Sequence, residues 1–202
     1  MEFKNKIYII QNLIKSKNFS TAIINCKKLL KKYPDNSYTL NLCGLALQGI
    51  KKYDMSLQYF NKALVKEPEN SAALNNLANT YKALYNYDKA EEIYIRLLQI
   101  DPYNFKVLNN YANLKQSLDD FEGAIELFLK AKEIKPQEPI TLFGLSASYQ
   151  SIGDFEKSKE IANEILKLDH KKTSAHKLIS GYTKYKDGNE EFDTWYENRI
   201  DD

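Results

Sequence analysis

Apolar residues run along this chain at helical spacing. Leu74, Leu77, Ala78 and Tyr81 stand at i, i+3, i+4 and i+7, and Ala90, Tyr94, Leu97 and Leu98 draw a second stripe shortly after. The pattern predicts a pair of amphipathic helices over 71–84 and 88–100, and the pair recurs. Prolines fall at Pro34, Pro68, Pro102 and Pro136, each 34 residues after the last. Leucines keep the same step at Leu40, Leu74, Leu108 and Leu142, and an aromatic recurs at Phe19, Tyr53, Tyr87, Phe121 and Phe155. Three positions after each aromatic comes a small residue (Ala22, Ser56, Ala90, Ala124, Ser158), and four further on Cys26, Phe60, Tyr94, Phe128 and Ala162. So many registers sharing one period define internal repeats. Five helix-turn-helix units follow, over 3–36, 37–70, 71–104, 105–138 and 139–172. A partial unit at 173–186 breaks off after Tyr185 and reads as a capping helix, ahead of a 187–202 tail.

Local chemistry agrees with this division. Each Pro predicts a helix end, with the residue before it forced out of the helical region. Asp119-Asp120 and Gly153-Asp154 mark turns inside repeats, and Asp88 and Asp154 are placed to cap the helices that follow. Ala78, Ala90 and Ala112 let paired helices approach closely. A lone hairpin cannot bury its own stripe, so stability must come from stacking neighbours. The expected fold is an all-α solenoid.

The 34-residue period with these residue types resembles the tetratricopeptide repeat family. Leu74, Leu77, Ala78, Tyr81, Ala90, Tyr94, Leu97 and Pro102 occupy its pattern in the third unit, and Leu40, Cys43, Gly44, Leu47, Ser56, Phe60, Ala63 and Pro68 in the second. The fourth departs at Lys115, where the pattern asks for Tyr, and the fifth has His170 where it asks for Pro. The first is the loosest, with Ile9, Ile10 and Leu13 on one helix and Ala22, Cys26 and Leu29 on the other. The resemblance covers roughly residues 3 to 186. It implies a right-handed superhelix whose first helices line a concave, protein-binding face.

Composition excludes several classes. Lys and Arg number 29 against 27 Asp and Glu, a formal +2 too balanced to point to nucleic acid. The longest apolar run, about Ile7 to Ile10, cannot span a bilayer. No signal peptide is read at Met1–Lys6, and two cysteines make no disulfide framework, so a cytoplasmic location is expected. No phosphate loop, metal-spaced Cys/His cluster or serine elbow is present, and the reading is non-catalytic with no cofactor. His170 and His176 stand six apart, off a shared helical face, and read as solvated or packed residues. Cys26 and Cys43 sit at core registers and read as inert buried thiols. Lys27-Lys28-Leu29-Leu30-Lys31-Lys32 reads as an amphipathic helix solvating itself, since a phosphate patch would draw on Arg and the chain has two.

One surface looks selected. The resemblance places the fifth, sixth and ninth positions of each unit in or beside the groove. In units two to four these are Asn41, Leu42, Leu45, Asn75, Asn76, Asn79, Asn109, Asn110 and Asn113. Seven of nine are Asn, against 19 in 202 overall, although Asn costs roughly 0.5 kcal/mol relative to Ala in a helix. An amide offers two donors and two acceptor lone pairs, matching a peptide's own N–H and C=O. Leu74-Asn75-Asn76-Leu77-Ala78-Asn79 is similar to the repeats of O-linked N-acetylglucosamine transferases, where such ladders hold substrate peptides. The bland account is polar surface copied by duplication in an Asn-rich chain. On the ligand account, Ala at Asn75, Asn79, Asn109 and Asn113 is expected to abolish partner binding while leaving the fold at least as stable. The carboxylate clamp of chaperone-binding relatives is incomplete. Asn76 and Lys106 fit it, but Asn41, Leu45 and Asn110 do not.

The leading expectation is a scaffold that binds an extended peptide of a protein partner. An alternative is the repeat portion of a sulfotransferase- or glycosyltransferase-type enzyme lacking its catalytic domain, from the similarity of Ala175–Tyr185 to segments that close such arrays. A third is self-association through residues 187–202, which hold seven acids, one Arg, Phe192, Trp195 and Tyr196.

Overall fold

The computed structural model describes residues 2–168. Over these the chain is ten α-helices in five antiparallel pairs, with no strand among the described residues. The pairs are α1 (Glu2–Lys15) with α2 (Phe19–Lys32), α3 (Ser37–Gly49) with α4 (Tyr53–Lys66), α5 (Ser71–Ala83) with α6 (Tyr87–Ile100), α7 (Phe105–Ser117) with α8 (Phe121–Ile134), and α9 (Pro139–Ser151) with α10 (Phe155–Leu168). They fall into two compact units, α1–α6 up to Pro102 and α7–α10 from Tyr103 on. The expected capping helix at 173–186, the 187–202 segment, His170 and His176 lie outside the described residues.

Every link between repeats carries the same two signals. The residue before each proline leaves the helical region, at φ/ψ of −134/71° for Tyr33, −136/84° for Glu67, −136/89° for Asp101 and −135/88° for Lys135. Two residues past three of these prolines, an Asn side chain caps the next helix. Asn36, Asn70 and Asn104 Oδ1 accept from the backbone N–H of Thr39, Ala73 and Val107 at 2.8, 3.0 and 3.1 Å. The fourth link has Glu138 without a side-chain cap, followed by Pro139 in the first turn.

Turns inside repeats use a different device. Lys17, Lys51, Tyr85 and Asp119 adopt φ of 57–59°, and Gly153 takes φ 81° at the equivalent position. The next residue then caps the second helix in two repeats, Asp120 through the Gly123 N–H at 2.9 Å and Asp154 through the Lys157 N–H at 3.2 Å. Asp88 does not cap. Its helix starts a residue earlier at Tyr87, so its carboxylate lies in the first turn, facing the helix dipole.

In the second, third and fourth pairs the second helix carries a fully buried aromatic, Phe60, Tyr94 or Phe128, and in the second it meets a glycine of the first helix. Phe60 is fully buried over Gly44, where an added Cβ would lie 2.6 Å from Phe60 Cε1. Ser56 Oγ donates to the Gly44 carbonyl at 2.9 Å, fastening α4 to α3. In the α1–α6 unit, Ile10, Ala22, Cys26, Cys43, Ala46 and Leu47 join one cluster. In the α7–α10 unit, Phe128, Leu108, Leu142, Leu145 and Ile165 are buried, and Lys132 pairs with Glu164 at 2.8 Å to tie α8 to α10.

The close contact at Gly44 and the cap at Asp120 are each open to test. Gly44→Ala gains about 1 kcal/mol in helix propensity but drives a methyl into a ring with no room to move, a cost of about 1–3 kcal/mol; urea denaturation should show a net loss. Asp120 sits below the ordinary carboxylate range, held there first by the Lys115 ammonium at 2.9 Å and then by the Gly123 N–H. A lowered folded-state pKa stabilises above the unfolded value and is lost as pH falls through the folded one. Asp120→Ala should therefore cost about 1 kcal/mol at neutral pH. The gap to the parent should close on acidification below about pH 4.

Candidate functional site

On α3 the residues Tyr38, Asn41, Leu45 and Gln48 share one face at i, i+3, i+7 and i+10, and on α5 so do Ala72, Asn75, Asn79 and Lys82. The amides here are less open than polar surface would be. Asn41, Asn75 and Asn76 are only 6, 2 and 5% exposed, while Asn79 is half-buried. Asn76 Nδ2 donates to Asn41 Oδ1 at 3.1 Å, so the sixth position of one repeat grips the fifth position of the one before it. Asn79 Oδ1 accepts from the Tyr94 hydroxyl at 2.6 Å. Tyr94 is fully buried, and burial pushes its hydroxyl well above the usual tyrosine range, which keeps it a donor. That bond fixes the Asn79 amide, leaving its NH2 group to donate elsewhere.

The second unit repeats the scheme with different partners. Asn109 is buried, donates from Nδ2 to the Phe105 carbonyl at 2.8 Å and accepts from Thr141 Oγ1 at 2.8 Å, linking α7 to α9. Gln116 Nε2 strengthens that link by donating to Ser148 Oγ at 2.8 Å and the Gly144 carbonyl at 3.0 Å. Asn110 and Asn113 are half-buried.

The seven amides thus divide by role. Asn41, Asn76 and Asn109 bond first helix to first helix, which gives a structural reason for Asn at positions where propensity disfavours it. Asn75 is buried, and Asn79, Asn110 and Asn113 keep partial exposure. Neutrality of Ala does not follow at every position, because Asn79→Ala removes the bond to the Tyr94 hydroxyl and Asn109→Ala that to the buried Thr141 hydroxyl.

Several residues of these faces escape a reading confined to the fifth, sixth and ninth positions. The twelfth carries Gln48, Lys82, Gln116 and Gln150, legible in the sequence as one more polar register at the 34-residue step. Lys82 is half-buried, and burial alone holds its ammonium below the ordinary lysine range. Tyr38 accepts from Gln11 Nε2 at 2.6 Å. Helices α3, α5, α7 and α9 carry no acidic residue, and their only cations are Lys82, Lys106 and Lys115. Lys27, Lys28, Lys31 and Lys32 are exposed beside a buried Leu29, as an amphipathic helix requires. Cys26 and Cys43 are both buried, and Cys26 is pushed up first by its hydrogen bond to Cys43 and then by burial, so it stays a thiol. Among the described residues no helix is long and apolar enough to cross a membrane, and no group of three or more His, Cys, Asp or Glu gathers around a point.

Residues 5–114 match the family described as "Psidin, N-terminal TPR repeats region", and residues 105–138 match "Tetratricopeptide repeat". No curated protein matches the chain. Solved structures share the fold. A thermophilic TPR protein of Thermus thermophilus aligns with a TM-score of 0.77 at 14% identity, covering 89% of this chain and 98% of that one. A tetratricopeptide repeat protein of Parabacteroides merdae gives 0.71 at 20%, covering 89% and 72%. MamA of strain AMB-1 gives 0.66 at 21%, covering 83% and 96%.

The inter-helix amide pair makes a prediction of its own. Asn76→Ala removes the donor and leaves Asn41 Oδ1 buried without it, a cost of about 1–3 kcal/mol that outweighs the roughly 0.5 kcal/mol of helix propensity regained. Replacing both Asn41 and Asn76 by Leu removes donor and acceptor together and should recover much of that loss in thermal denaturation.

Proposed function

This chain belongs to the tetratricopeptide repeat family, and we propose that it is a non-catalytic scaffold whose first helices hold an extended segment of a partner protein. The observation that carries the reading is a half-buried amide at the ninth position in each unit, Asn79 on α5 in one and Asn113 on α7 in the other. In Asn79 the oxygen is already committed to Tyr94, so the NH2 is the group that meets a ligand, and a peptide carbonyl is its natural acceptor. The buried amides support this role indirectly. By bonding Asn76 to Asn41 and Asn109 to Thr141 they fix the spacing of neighbouring first helices within each unit. A preset spacing lowers the ordering cost of binding. The absence of acids from α3, α5, α7 and α9 makes these faces amide-rich and neutral to basic, suited to backbone recognition and tolerant of acidic side chains.

The test uses Asn79→Asp with Asn113→Asp. Aspartate keeps an oxygen for the Tyr94 hydroxyl but replaces the donor by a second acceptor. Parent and variant chains serve as baits in native lysate, read by mass spectrometry, and a synthetic segment of any captured protein is then titrated by fluorescence anisotropy. A partner segment bound by the parent and weakened at least about tenfold by the double variant is expected, the value of one or two lost hydrogen bonds. Equal binding by both chains would discard the amide reading.

A further inference from the structure

The repeat registers expose an anomaly at α1. Ile9 occupies the position filled in later repeats by Cys43, Leu77, Tyr111 and Leu145, all at most 9% exposed, yet Ile9 is 50% exposed. Its neighbour Tyr8 matches Leu42 and Asn76, both buried, and is itself 64% exposed. Helix α1 packs only on α2 and α3 among the described helices. The face that other first helices cover therefore presents two large apolar side chains to solvent.

This face belongs to the most basic part of the chain. Residues 2–32 hold eight lysines and a single acid, Glu2, which is already bridged to Lys6 at 2.6 Å. The chain also carries the opposite composition. Residues 187–202 hold seven acids and one Arg, interleaved with Phe192, Trp195 and Tyr196. We propose that residues 187–202 of a second copy dock on the α1 face, their aromatics against Tyr8 and Ile9 and their carboxylates among the lysines of α1 and α2. Opposite fields of this size steer encounter, and the apolar contacts hold it. A second copy supplies the complementary charge and aromatics at no cost in new chemistry, and its contribution is separable from that of the same chain by dilution. The inference uses none of the amides of α5 and α7 and survives if those bind nothing.

Trp195 is the only tryptophan, so its emission reports on this segment alone. The full chain is followed by sedimentation velocity and Trp emission over a dilution series, at about 20 mM and about 500 mM salt, where the screening length falls severalfold. Association with blue-shifted emission is expected at low salt and high concentration, reverting on dilution or added salt. Two variants locate the surface. Tyr8→Asn with Ile9→Gln removes the apolar contact, and Asn already stands at the Tyr8 register as Asn76. Lys28→Glu with Lys31→Glu weakens the field at exposed positions where later repeats carry Glu164 and Glu133, so it is compatible with folding even if the first variant is not. Each should weaken association at least about tenfold. Three results would overturn the proposal: blue-shifted emission independent of dilution, which places the segment on its own chain; association untouched by the lysine variant; or a monomer with solvent-exposed Trp throughout.

Discussion

The middle repeats depend on how closely neighbouring helices can approach, and a buried aromatic of the second helix sets that distance. Phe60, Tyr94 and Phe128 stand at one register and are fully buried; Phe60 fills the space where a Cβ on Gly44 would collide, and Phe128 the space where one on Gly144 of α9 would. Close approach then brings the backbone within reach, as Ser56 shows by bonding the Gly44 carbonyl. The first and fifth repeats lack the aromatic, with Cys26 and Ala162 in its place; in the fifth, Ser146 and Ser158 hydroxyls lie 3.0 Å apart, and a polar contact joins the helices instead. The second-helix aromatic thus dictates the composition of the first helix, and the first helices form the faces on which a ligand reading rests.

The amides extend the same logic from within a repeat to between repeats. Stacking could be left to apolar packing alone, but directional bonds between α3 and α5, and between α7 and α9, select one register of one helix against the next. A buried amide is costly unless bonded, so these residues penalise any slipped arrangement. Specificity of stacking comes from the fifth and sixth positions and the chemistry of the exposed face from the ninth, so one residue type serves both.

The period, the helices and their ends were legible because they rest on local chemistry: stripe spacing, the residue before proline, the turn residues. The link caps were equally written in the sequence as Pro-x-Asn at Pro34, Pro68 and Pro102, although attention to Asn on the helix faces hides them. Asp88 shows the limit of local reading, since a shift of one residue in the helix start turns a cap into a first-turn carboxylate. The division of labour among the seven amides was not legible. Whether Asn76 faces a ligand or Asn41 depends on which helix lies beside it, and whether Asn79 is free depends on Tyr94, 15 residues away across the hairpin.

The turns inside the repeats carry a consequence for how the fold holds together. Lys17, Lys51, Tyr85 and Asp119 sit in the left-handed region that only Gly153 occupies without strain, at about 1 kcal/mol or more each. No such hairpin is favoured by its own loop. The helices must already be engaged, with one another and with the next pair, for the turn to close. A repeat that closes only when its neighbours support it cannot come and go alone, so the strained turns convert a chain of similar modules into cooperative blocks.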